Sequence, residues 1–169
     1  PTAVGLGVST HYVTASDGNG CSAIDSVTIF QPTAVSATIA SVSHVSCNGG
    51  NNGSASATGS GGTGITYTFL WSNLQNTQTA ASLAAGTYTV TVSDNNLCTA
   101  TTTVTITEPS AVSVTTSISS NYNGASISCN GACDGELTAN GSGGTSTHSY
   151  LWSNGQTTAV ATGLCAGNY

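Results

Sequence analysis

The feature that most constrains this chain is that it repeats itself. Residues 13–38, VTASDGNGCSAIDSVTIFQPTAVSAT, align without a gap onto residues 90–115, VTVSDNNLCTATTTVTITEPSAVSVT, at an offset of 77. Residues 46–63, SCNGGNNGSASATGSGGT, match residues 128–145, SCNGACDGELTANGSGGT, at an offset of 82. LWSN at 70–73 recurs at 151–154 after one deletion, and LAAGTY at 83–88 meets LCAGNY at 164–169. Self-similarity at a fixed period marks tandem structural units, here of roughly 80 residues. The alignment divides the sequence into 1–32, the C-terminal part of one repeat, 33–109, a complete repeat, and 110–169, the N-terminal part of the next. GLGVSTHY at 5–12 resembles GLCAGNY at 163–169, so the expectation is a two-period window cut from a longer array.

Within one period the strand signals are short and evenly spaced. Val35, Ala37 and Ile39 alternate, Ser54 to Thr58 is a small-residue strand after NGGNNG, and GSGGTG interrupts the chain before the apolar run Tyr67 to Trp71. A polar strand around Thr77 to Ala81 follows. Tyr88, Val90 and Val92 then alternate with threonines, turn at DNNL and return through Val104 and Ile106. Thr, Val, Ile and aromatic residues favour strands, whereas Met, Lys and Arg are absent and glutamate occurs only at 108 and 136. The expected fold is all-β: Ig-like β-sandwich modules of about 80 residues, strung into an extended rod. The expected core is Trp71, Trp152, Tyr88, Val90, Val92, Val104 and Ile106.

Charge narrows the partners. With no lysine or arginine and six acidic residues, the chain has nothing to neutralise phosphates, so nucleic acid and anionic membrane surfaces are excluded as partners. No transmembrane segment is present in the sequence, and direct membrane insertion is not expected. Lysine-dependent chemistry, including Lys–Asn isopeptide cross-links, cannot occur, and trypsin has no site to cut.

A module of this size buries only around 60–65% of its unfolded surface, so it needs staples. Cys47 and Cys98 are the only cysteines of the complete period, so they are expected to pair, a closure stabilising by roughly 4 kcal/mol in the chain-entropy model. Cys21 and Cys129 then become half-cystines whose partners lie outside the window. Cys133 and Cys165 appear together, where the preceding period has Asn51 and Ala84, and are expected to pair with each other. Cys129-x-x-x-Cys133 with His148 is a competing metal reading, but it lacks the second close pair of a zinc site. Disulfides place the chain outside the cytosol.

Taken together, SCNG, the GSGGT turn, LWSNG, L-x-AG-x-Y-x-V-x-V-x-D-x-x-x-C and the closing TITEPSA resemble the SprB repeat of Bacteroidota surface adhesins. The resemblance covers essentially the whole chain. It implies long tandem arrays in very large proteins exported by the type IX system to the cell surface, some of them gliding-motility adhesins. It implies a disulfide-stiffened stalk or filament, and no catalytic residues come with it. One departure is His11, which occupies the place of Tyr88.

The remaining chemistry favours plain structural roles. His11, His44 and His148 sit at three unrelated positions of the period and none lies in a nucleophile motif, so no enzyme is expected. Asp134 and Glu136 are close in sequence but fall in a turn. Asp17 in DGNG and Asp94 in DNN are weak calcium candidates, because hairpin turns also call for Asp and Asn there. No other cofactor is expected. Asn52 and Asn140 begin N-glycosylation sequons, and Asp25-Ser26-Val27 matches a short O-glycosylation acceptor pattern with Ser26 as the acceptor.

The expected partners are neighbouring repeats of the same chain, other copies in a filament, and an unidentified surface or glycan. FQPTAVS and TEPSAVS contain one proline and no flexible spacer, so neighbours should sit close. Two alternatives remain. In a glycan-binding module, Trp71 and Trp152 would form the platform. In a filament of separate subunits, the end segments would complete each other, with Cys129 of one chain bonding Cys21 of the next.

Overall fold

A computed structural model describes residues 2–169, and its regular elements are all strands. β1 (Thr10–Ser16) and β2 (Ser22–Thr28) form an antiparallel hairpin. β3 (Ser36–Ser43), β4 (Gly53–Ser60) and β6 (Thr79–Leu83) make one sheet in the order β3-β4-β6. β5 (Thr68–Trp71), β7 (Gly86–Ser93) and β8 (Thr99–Ile106) make another, in the order β5-β7-β8. β9 (Ser113–Ile118), β10 (Gly135–Ser142) and β11 (Val160–Leu164) form a third, with β10 central. The chain is therefore all-β, and the 33–109 period supplies the two sheets of a β-sandwich.

Sequence explains the thin side of that sandwich. Inward positions of β4 carry Gly53, Ala55, Ala57 and Gly59, three of them fully buried and Gly59 half-buried. A Cβ at Gly59 would lie 2.6 Å from the Tyr67 ring and 2.8 Å from Val92. A Cβ at Gly53 would lie 2.8 Å from Ile106. The small residues of β4 thus leave the space that the bulky residues of the facing sheet occupy. β10 repeats the pattern with Gly135, Ala139 and Gly141, and the Gly141 position abuts the His148 ring. A β-bulge recurs too, between Gly53 and Ala55 where β4 meets β6, and between Gly135 and Leu137 where β10 meets β11.

The described residues divide into two compact units that do not follow the sequence period. One comprises the segment ending at Ala40, Ala57–Gln78 and Thr89–Thr103. In it β5 pairs with β7, with Trp71 opposite Val90 and Phe69 opposite Val92. Trp71, Val90, Val92 and Ala57 are buried there, whereas the β1–β2 hairpin is almost wholly exposed. The other unit comprises Ser41–Ser56, Thr79–Tyr88 and the segment from Val104 onward. It buries Val45, Ala55, Ala80, Leu83, Val104 and Ile106, and has a second cluster of Ala139, Trp152, Ala161 and Leu164. Six of the seven residues expected in the core are buried. Tyr88 is part-exposed, and its hydroxyl donates to the Ala84 carbonyl at 3.2 Å.

Candidate functional site

The residues singled out by sequence do not converge on one site. They form turn keystones, aromatic locks and thiols. Asp94 is the most developed keystone. It directly follows β7, is 3% exposed, and accepts bonds from the Thr63 N–H and hydroxyl at 3.0 and 3.1 Å. Its other oxygen accepts the N–H groups of Asn96 and Cys98 at 2.9 and 2.8 Å. The bond from the Thr63 backbone holds the Asp94 carboxyl below the usual aspartate range, against the opposing cost of burial. Asp17 shapes the equivalent exposed turn, accepting from the Asn19 and Cys21 N–H groups at 2.9 and 2.8 Å. In both turns one carboxylate oxygen accepts two backbone N–H groups, the role sequence assigned to hairpin turns. Among the described residues no group of three potential ligands could hold a metal ion.

Asp134 is a keystone as well, accepting the Ser128 N–H at 3.0 Å, as Asn52 accepts that of Ser46 at 3.0 Å one period earlier. Hydrogen bonding from Ser128, hydroxyl first and N–H second, holds the Asp134 carboxyl below its usual range. The Asn52 amide also donates to the Ser46 hydroxyl at 2.8 Å, so this sequon side chain is committed within its own loop. Asn140 and Ser26 are exposed, and Ser26 lies on β2 with its N–H bonded to Asp25.

Each histidine has a structural partner. His11 bonds the Gly7 carbonyl at 2.8 Å, as Tyr88 and Tyr169 bond the carbonyls of Ala84 and Cys165, always four residues back. His148 bonds the Gly143 carbonyl at 3.0 Å in the place where the Tyr67 hydroxyl bonds Gly61 at 2.7 Å. His44 accepts the Thr107 N–H at 3.1 Å. The tryptophans are locked alike, with indole N–H groups donating to Thr77 and Thr158 carbonyls at 2.9 Å in both cases. Trp71 is 1% exposed and offers no face to a sugar.

The thiols depart from expectation. Cys133 and Cys165 are joined by a disulfide, one ahead of β10 and the other just after β11, closing the end of an antiparallel pair. Cys21, Cys47, Cys98 and Cys129 are free and exposed, so the expected Cys47–Cys98 bond is not formed. The reason is topological. Cys98 immediately precedes β8. The Cys47 loop is fastened just past the other end of that strand, where Val45 N–H donates to Thr107 O at 3.0 Å and Gly49 N–H to the Glu108 carboxylate at 2.6 Å. Eight strand residues at about 3.3 Å each separate the two places, far beyond the 7 Å a disulfide can span.

Sequence reasoning missed the Glu108 clamp, which also takes the Asn48 amide at 3.1 Å. Its trace was present: the polar residue before the junction proline recurs as Gln31 and Glu108. Beside this clamp lies a shallow cavity lined by Cys47, Asn48, Pro109, Gly144, Thr145 and His148 among others. Two further hollows lie against the Ile118–Leu137–Leu164 and Val112–Tyr150–Trp152 surfaces.

The family model of the SprB repeat matches this chain at residues 39–76 and again at 121–157. No curated protein and no solved structure matches it.

Proposed function

We propose that this chain, which carries SprB repeats, is a structural and adhesive segment of a large extracellular protein at the cell surface. SprB repeats occur in surface-exposed proteins and constitute a structural repeat family, not an enzyme family. The observation that carries the reading is the two matched segments, together with the use of every histidine in bonding a backbone group and of buried Asp94 in holding a turn. Such a chain spaces or presents something; it does not transform a substrate. Successive repeats form a stalk or filament with neighbouring repeats as principal partners, and gliding motility is one activity such a stalk serves. Ser26, exposed on a charge-poor strand, is the residue through which an O-linked glycan would add solubility.

The test is made on intact cells that export the polypeptide. Antibody raised against residues 33–109 is expected to label unpermeabilised cells. In-frame removal of the repeats is expected to leave export unchanged and abolish attachment to surfaces. Undiminished attachment by cells that still export the shortened protein would sink the adhesive reading. Label confined to permeabilised cells would sink the location.

A further inference from the structure

We propose that Cys47 and Cys98 are halves of cystines that cross the junctions between successive periods. Cys47 of one period bonds the cysteine equivalent to Cys98 in the period that follows. Cys98 in turn bonds the equivalent of Cys47 in the period before. The inference concerns how repeats are joined, and it holds whatever the array adheres to.

Three observations converge on it. First, the two thiols are exposed, unpaired and at opposite ends of β8, so an intra-period bond is excluded while both ends are available. Second, the turn that carries Cys98 has a defined seat. Asp94 accepts from Thr63, and the chain at Gly62 comes so close that a Cβ there would lie 2.5 Å from the Asp94 carboxylate. Asp17 organises the Cys21 turn in the same way, accepting the Cys21 N–H at 2.8 Å. Third, the equivalent seat in the next period, Gly144 and Thr145, lies on the cavity that Cys47 lines. Gly144 is placed as Gly62 is, its N–H donating to Ser110 O at 2.9 Å where Gly62 donates to Thr33 O at 2.8 Å. A third-period turn seated on Gly144–Thr145 therefore delivers its cysteine to the rim on which Cys47 stands. Glu108 holds the Cys47 loop against the junction from the other side, through Gly49 and Asn48.

The bond is an ordinary two-electron oxidation. The two thiols lose two protons and two electrons and form one S–S bond, and the disulfide of a thiol oxidant is reduced to two thiols. In an oxidising compartment such an oxidant is at hand.

The test completes the third period with the chain's own sequence. Tyr169 occupies the place of Tyr88, so a copy of residues 89–109 is appended after Tyr169, adding a second copy of Cys98. The original and lengthened chains are oxidised at low micromolar concentration in a glutathione redox buffer and alkylated with N-ethylmaleimide. Both are then digested with chymotrypsin without reduction and read by mass spectrometry. The original chain is expected to take up four labels, on Cys21, Cys47, Cys98 and Cys129. The lengthened chain is expected to take up three, with the Cys47 peptide linked to the appended cysteine. Cys47→Ser should free the appended thiol, and Cys129→Ser should not. A Cys47–Cys98 link, or a link between Cys129 and the appended cysteine, would overturn the proposal. So would a labelled appended thiol in a chain whose Trp152 emission has shifted to the blue. Should that emission stay unshifted, the same digest of the native exported polypeptide decides, and a free Cys47 or a Cys47–Cys98 link there overturns it.

Discussion

The 33–109 and 110–169 periods share a sequence but differ in how far their cores are closed. Trp71 is 1% exposed and Trp152 8%, while the neighbouring Leu70 and Leu151 are 52% and 80% exposed. β5 pairs along its length with β7, whereas Tyr150 to Trp152 form no strand. Yet the small bonds are the same in both: indole to threonine carbonyl, ring to glycine carbonyl, and the bulge at the start of β4 and β10. The hairpins make the converse comparison. Val13 on β1 is 64% exposed, and its equivalent Val90 on β7 is fully buried. The local turns and locks are thus built alike in successive periods. Burial of the apolar stripe, worth about 1.5–3 kcal/mol for each large side chain, comes only when sheet and hairpin meet.

Trp71→Ala tests this contrast most severely. It is expected to cost the 33–109 period about 3–5 kcal/mol by urea unfolding. Trp152→Ala should cost clearly less, and equal losses would mean that the two cores are equally closed. Next comes the staple present in only one period. Reduction of Cys133–Cys165, which spans 32 residues, should cost about 3–4 kcal/mol and lower hydrogen-exchange protection in β10 and β11 alone. The pair Asn51→Cys and Ala84→Cys should confer a comparable gain on the other period. Overpacking is third. Gly59→Val drives side-chain atoms into Tyr67 and Val92 and should cost about 1–3 kcal/mol by thermal unfolding.

A smaller difference lies in backbone strain. Leu74, Ser82 and Leu97 adopt left-handed conformations at φ of 70°, 54° and 65°, where the other periods have Gly155, Gly163 and Gly20. A left-handed non-glycine residue costs about 1–2 kcal/mol, so Leu97→Gly should raise stability by up to about 1 kcal/mol. Gly20→Leu should weaken the β1–β2 turn by a like amount, read from its amide exchange. The last contrast is acidity. Because the Asp94 pKa is lowered by folding, its contribution is complete above the ordinary aspartate value near 3.9. It is lost as pH falls below that through the folded value. Melting temperature should therefore drop on acidification below about pH 4, and Asp94→Asn should flatten that dependence.

Much of this molecule was legible in its sequence. The alternation of Val35, Ala37 and Ile39 became the half-buried face of β3 and its entry, and Val90, Val92, Val104 and Ile106 became core. Turn chemistry identified Asp17 and Asp94 as shapers of hairpins. The Cys47–Cys98 pairing failed because counting cysteines within a period says nothing about which end of a strand each one occupies. The histidines were unreadable for another reason. His11 aligns with Tyr88, but that it and His148 stand in for tyrosines by reaching the same carbonyls is disclosed only by the ring positions. Glu108 was hidden by distance, since its partners Asn48 and Gly49 lie some sixty positions upstream.

The order of strands within a period also sets the tempo of folding. β7 and β8 are the last strands of a period in chain order, and the equivalent β1–β2 pair is joined by a short turn with its ladder in register from end to end. Hairpins of this kind zip in about 1–10 μs. The front strands must wait for that pair before Trp71 can be covered, so the slow step is a search by two ready-made pieces for one docking arrangement. During that wait a hairpin from an adjacent period, similar in sequence, competes for the same face. Fidelity in a long array then depends on tether length, because the hairpin attached by the shortest loop arrives first.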